Sequence, residues 1–178
     1  MRSFPLNRPP LYTRLLLRFR RYAPKLLTLL ILLFSIAPTY IPGYSSVRPN
    51  LVMIPVFYWA VYRPYSFSVI SAFFTGMALD LLESSPLGVN TLVFTLLYLA
   101  ADSQRRFLMN KTFLFVWFGF AVLSFAAYFF KWLFVSINFA AFTPAGAALI
   151  SYFLLVAAYP LVVWPCAKLH LYLLDREK

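Results

Sequence analysis

The sequence predicts an all-α integral membrane protein with about six short transmembrane helices, and three observations carry that expectation. First, 62% of its 178 residues are hydrophobic and 12% are charged, where ordinary globular domains run about 45–50% apolar and about 25% charged. Mean hydropathy is +0.77, and a soluble body of this size has too little interior to hide so much apolar surface. Second, apolar runs recur from residue 26 to residue 174 between short breaks, so a single leader segment does not explain the composition. Third, the net charge of +11 is unevenly placed. Arg2, Arg8, Arg14, Arg18, Arg20, Arg21 and Lys25 all precede or open the first apolar run. That clustering suits an anionic cytoplasmic membrane surface and argues against nucleic acid, which would need a folded basic body.

Two units follow: a basic N-terminal segment, residues 1–24, and a single transmembrane domain, residues 25–174. In the first, Arg14, Arg18, Arg21 and Lys25 form one helical stripe beside Leu11, Leu15, Phe19, Tyr22 and Leu26. This spacing fits a short helix lying on anionic lipid; a disordered basic tail that only sets topology is the alternative. The first crossing is Leu26 to Ile41, broken near its end by Pro38 and Pro42. The second, Leu51 to Tyr62, is about a dozen residues and too short to cross roughly 30 Å of hydrocarbon alone. With its flanks, residues 47–65, it crosses; a half-buried or re-entrant segment competes, and Pro55 is expected to weaken or kink it. Tyr65 to Glu83 and Leu87 to Ala101 read as an antiparallel pair around a tight turn. A polar loop, Asp102 to Lys111, leads to the aromatic-rich run Thr112 to Asn138. Gly146 to Leu174 closes the set, interrupted by Pro160 and Pro165.

Charge counting favours six crossings with both termini cytoplasmic. Fourteen of the sixteen basic residues then fall on the inside, Arg48 alone lies in an outside loop, and Lys131 lies within a span; this satisfies the positive-inside rule. Tyr58, Trp59, Tyr62, Trp132 and Trp164 are expected to act as interface anchors.

The chain has five acidic residues, and two of them, Asp80 and Glu83, fall in Gly76 to Asn90 beside a Pro/Gly turn. Gly76, Asp80 and Glu83 share one helical face. A carboxylate within a span costs about 2.5–3.5 kcal/mol on insertion scales, so something must compensate it. Asp80 is expected to satisfy donors freed in the Ser84–Gly88 turn, with Gly76, Pro86, Leu87 and Gly88 shaping the hairpin. A solute or proton site is the competing role. Lys131 lies about 30 Å along its helix from Lys111 and so shares a leaflet with both acids. It is expected near Glu83 or Asp80 as an outer-leaflet ion pair, or else snorkelling to headgroups.

Catalytic patterns are missing. No phosphate loop, H-E-x-x-H or G-x-S-x-G occurs. One Cys, Cys166, and one His, His170, make a disulfide impossible and a Cys/His metal site untenable. Neither an enzyme nor a cofactor is expected. Ala147 and Ser151 give a small-xxx-small spacing suited to close helix approach.

Two stretches resemble the bacterial rod shape-determining MreD family. Arg48-Pro49-Asn50-Leu51 followed by Tyr58-Trp59-Ala60 and Arg63-Pro64 is one; Gly76-x-x-x-Asp80-Leu81-Leu82-x-x-Ser85-Pro86-Leu87-Gly88 is the other. Glu83 departs from the family pattern, so no role for it comes from the resemblance. The resemblance implies a non-enzymatic inner-membrane component of the cell-elongation, peptidoglycan-synthesising machinery. It also implies MreC as partner, with MreB and the wall-synthesising glycosyltransferase and transpeptidase, and a fold similar to the substrate-binding subunits of energy-coupling transporters. The alternative is a transporter-like subunit that binds a small solute or lipid, with Asp80 lining a pocket.

Overall fold

The computed structural model describes residues 11–37, 48–83, 86–139 and 145–175; side chains are described from residue 22 onward within these ranges, except 135, 137–139, 145, 174 and 175. The described elements are all helical: α1 (Leu11–Ile36), α2 (Met53–Tyr62), α3 (Val69–Leu82), α4 (Val89–Ser103), a single turn α5 (Arg105–Leu108), α6 (Phe113–Phe139) and α7 (Ala145–Asp175). α6 and α7 each contain a stretch long and apolar enough to cross a membrane, 22 and 28 residues at mean hydropathy 2.1 and 2.0. Their outward positions are large and apolar, including Leu114, Phe118, Phe153 and Leu161. Water would not tolerate so broad an apolar face, but lipid does.

The centre of the body is a short helix. α2 has ten residues, and nine of them, Met53 to Val61, are buried. At 1.5 Å per residue it is about 15 Å long, half a hydrocarbon core. It packs against α4 most extensively, then α7, with α1, α5 and α6 completing the ring. Its ends are tied to opposite ends of the body. The Asn50 N–H, just before the helix, donates to the Tyr128 hydroxyl of α6 at 3.1 Å. At the other end Arg105 Nε donates to the Val61 carbonyl at 2.9 Å, supplying a donor to one of the last carbonyls of α2. The Tyr98 hydroxyl holds the Phe67 carbonyl in the following loop at 2.9 Å.

Several expectations change on the structure. Pro55 does not kink α2, because it falls in the first turn, where its missing N–H has no intrahelical partner to lose. Tyr58 and Trp59 are core residues rather than interface anchors, at 6% and 0% exposure; the Tyr58 ring sits against Trp59, Tyr62 and His170. α1 runs unbroken through Pro24, so residues 11–24 and the start of the first apolar run form one helix. The side chains of Arg14, Arg18 and Arg21 lie outside the described residues, while Lys25 rests over the Tyr22 ring, 5.5 Å from its centroid. The polar 102–111 loop contains α5, whose Leu108 is buried.

Pro160 and Pro165 do not interrupt α7. A proline removes the hydrogen bond to the carbonyl four residues back, and for Pro160 that carbonyl is Val156. Trp117 Nε1 of α6 donates to this carbonyl at 3.0 Å, a substitution of the kind that lets proline persist in membrane helices.

Candidate functional site at the hairpin of α3 and α4

Asp80 sits in the last turn of α3 and is 1% exposed. α4 begins across the turn, and the first four N–H groups of any helix lack partners within it. Here all four are met. The Val89 N–H donates to the Pro86 carbonyl at 3.3 Å. The other three donate to one carboxylate: Asn90 to Asp80 Oδ1 at 3.0 Å, and Gly88 and Thr91 to Asp80 Oδ2 at 3.0 and 3.1 Å. The Thr91 hydroxyl is a fourth donor to the carboxylate, reaching Oδ2 at 2.8 Å. A neighbouring helix thus supplies the cap that the local residue Gly88 has no side chain to give. Charge-assisted bonds and the positive end of the α4 dipole both offset the cost of burying the carboxylate.

Two glycines make the geometry possible for different reasons. Gly88 has φ +100° and ψ −18°, the left-handed region that glycine enters without penalty. Gly76 is one turn before Asp80 and lies against the backbone of α4. A Cβ there would come 2.5 Å from Thr91 Cα and 2.7 Å from the Asn90 carbonyl oxygen. Only a residue without a side chain lets α3 approach closely enough for Asp80 to reach the α4 amides.

The site extends to α6. Lys131 Nζ donates to Asn90 Oδ1 at 2.9 Å, so Asp80, Asn90 and Lys131 form a chain across α3, α4 and α6. The lysine therefore meets the amide beside the acid. Glu83 itself is half-buried just past the end of α3. Tyr128 lies one turn from Lys131 on α6 and holds the Asn50 N–H, so one helix braces the beginnings of both α2 and α4.

Of the other sequence-selected residues, Pro86 is half-buried and Leu87 exposed in the turn; Ser84 and Ser85 lie outside the described residues. Arg48 and Pro49 lead into α2 at the end that meets Tyr128, while Tyr58 and Trp59 occupy the other half of α2. Ser151 donates back to Ala147 at 2.9 Å within α7. Cys166 is buried. No group of three or more metal-binding side chains occurs among the described residues.

Asn90, Thr91 and Tyr128 belong to the site without having been selected by sequence reasoning. Asn90-Thr91 had a usable signal, two polar residues opening an apolar run immediately after a glycine turn. Tyr128 had none, being one of 32 Tyr and Phe residues.

A family model described as rod shape-determining protein MreD matches residues 18–169. The chain belongs to the MreD family. The match covers α2 to α6 entirely and most of α1 and α7, so the Asp80 hairpin and its Lys131 brace both lie inside the MreD region. MreD proteins are membrane proteins that determine rod shape, and the apolar surfaces of α6 and α7 accord with that setting. No curated protein and no solved structure matched the chain.

Proposed function

We propose that this MreD-family chain is a non-enzymatic scaffold of the cell-elongation machinery in the bacterial inner membrane. In this reading it crosses six times with both termini cytoplasmic, in a fold like that of energy-coupling transporter substrate-binding subunits. It organises wall synthesis by binding MreC, and through it MreB and the wall-synthesising glycosyltransferase and transpeptidase; anionic lipid contacts its basic N-terminal segment. One observation carries the scaffold role. The acid within the spans, Asp80, spends its lone pairs on four donors of its own chain. A carboxylate engaged in this way fastens helices and has little capacity left for a solute or a transferable proton. The path of α2, tied to Tyr128 at one end and Arg105 at the other, supports counting it as a crossing despite its length.

The test is co-purification of MreC with the full chain from detergent, for wild type and Asp80→Asn. The scaffold reading expects partner recovery to fall only as far as folded protein falls, judged by size-exclusion profile, with no small molecule lost. A solute retained by wild type and released by a folded Asp80→Asn variant supports the transporter-like alternative instead.

A further inference from the structure

Two hydrogen bonds fasten α6 to α7, and a cleft lies between the helices on the side of those bonds nearer Lys131. Trp117 Nε1 holds the Val156 carbonyl, and the Tyr152 hydroxyl holds the Ala121 carbonyl at 3.0 Å. Beside them, the helices enclose a lateral cleft of about 220 Å³, lined by Phe125, Tyr128, Phe129 and Trp132 of α6 and by Ala148, Leu149 and Tyr152 of α7. The rings pack on one another: Phe125 on Tyr152 at 5.5 Å, Tyr128 on Tyr152 at 6.1 Å, and Phe129 on Trp132 at 6.3 Å between centroids.

The chemistry of this lining selects the occupant. Tyr152 donates its hydroxyl to the Ala121 carbonyl, and the Tyr128 hydroxyl accepts the Asn50 N–H. The surface that the cleft exposes is almost wholly apolar, so a sugar, phosphate or peptide group would leave its polar atoms largely unmet there. Size restricts it further. An apolar cavity of about 150 Å³ takes one benzene ring, so this cleft takes a stretch of a single chain. Its walls cover two turns of α6 and little more than one of α7. That is far short of the roughly 800 Å² per partner that a stable protein contact buries.

We propose that the cleft is a binding site for one hydrocarbon chain of a membrane lipid, seated between α6 and α7 in the leaflet that holds Lys131. The cleft shares Tyr128 with the brace on α2 but does not include Asp80, and the proposal stands independently of the scaffold reading.

Native mass spectrometry of the full chain in detergent, titrated with a defined phosphatidylcholine, tests it. Wild type should hold one lipid at least tenfold more tightly than further copies. Ala148→Phe should abolish that first site, while Ala126→Phe, on a different face of α6, should leave it. A photoreactive benzoylphenylalanine replacing Leu149 gives a second reading that does not depend on the filled variant folding. Its lipid adduct should exceed that from the same probe at Phe153, an outward position of α7, several-fold. Equal yields at 149 and 153, unchanged retention in a folded Ala148→Phe, or a Leu149 adduct to a second copy or to residues 38–47 of the same chain, each overturn the proposal.

Discussion

The α3–α4 and α6–α7 pairs are both antiparallel helix hairpins, yet they are closed in opposite ways. α3 and α4 meet backbone to backbone at Gly76 and are locked by a buried carboxylate on three α4 amides. α6 and α7 touch through aromatic side chains, with two ring-to-carbonyl hydrogen bonds and a cleft beside them. Lipid tails are as apolar as leucine, so apolar contact alone gives little preference for helix over lipid; close approach and interhelical hydrogen bonds decide. By that measure the first pair is a fixed unit and the second a looser one, and removing a fastener should cost more in the first.

The largest effect is expected for Asp80→Ala. It strands the buried N–H groups of Asn90 and Thr91 and the buried Thr91 hydroxyl, at about 1–3 kcal/mol for each buried unsatisfied group, besides the more exposed Gly88 N–H. A loss of at least about 3 kcal/mol in steric-trap unfolding is expected, with Asp80→Asn milder because an amide still accepts. A loss below about 1 kcal/mol for Asp80→Ala would remove the distinction between the two pairs.

Next come the glycines, which separate space from backbone conformation. Gly76→Ala puts a methyl 2.5 Å from Thr91 Cα, and neither backbone yields cheaply. A cost of about 1–3 kcal/mol is expected, with Asp80 pulled away from the α4 amides. Gly88→Ala meets nothing within 4 Å but keeps φ +100°, costing about 1–2 kcal/mol. Gly88→Asn should recover part of that loss, since Asn tolerates left-handed backbone, whereas Gly76→Asn should be worse than Gly76→Ala. Thermal unfolding in one detergent ranks all four.

The legibility of this molecule follows the same division. The hairpin was readable because its parts are rare in an apolar chain: two acids, a proline and two glycines within 13 residues. The helical class was readable from composition. The continuity of α1 and α7 was not, because proline rules drawn from water overstate breakage where lipid leaves the backbone no partner but itself. The core position of Trp59 was also hidden. An aromatic ring in a membrane sequence fits interface and interior equally well, and only packing around the short α2 decides. Residue counting set Lys131 level with the α3–α4 turn, but that its partner there is Asn90 needed the fold.

A smaller effect is expected at the brace between α4 and α6. Lys131→Met and Asn90→Leu each remove one side of a charge-assisted hydrogen bond. Their double-mutant cycle should give a coupling of about 1–2 kcal/mol. Glu83→Gln combined with Lys131→Met should couple by less than half as much, because the lysine spends its hydrogen bond on Asn90. A Glu83 coupling equal to or above the Asn90 coupling would restore the direct ion pair as the main link.

The smallest effect belongs to the looser pair and tests why Pro160 is tolerated. Trp117→Phe removes one interhelical hydrogen bond, about 0.6 kcal/mol on average in a membrane protein. The acceptor is the Val156 carbonyl that Pro160 leaves open. Pro160→Ala returns an N–H to that carbonyl, so the tryptophan is no longer its principal donor. Trp117→Phe should therefore cost clearly less in a Pro160→Ala background than in the native one. Equal costs in the two backgrounds would mean that the indole contributes by filling space, and that the proline is accommodated by the lipid-enforced helix alone.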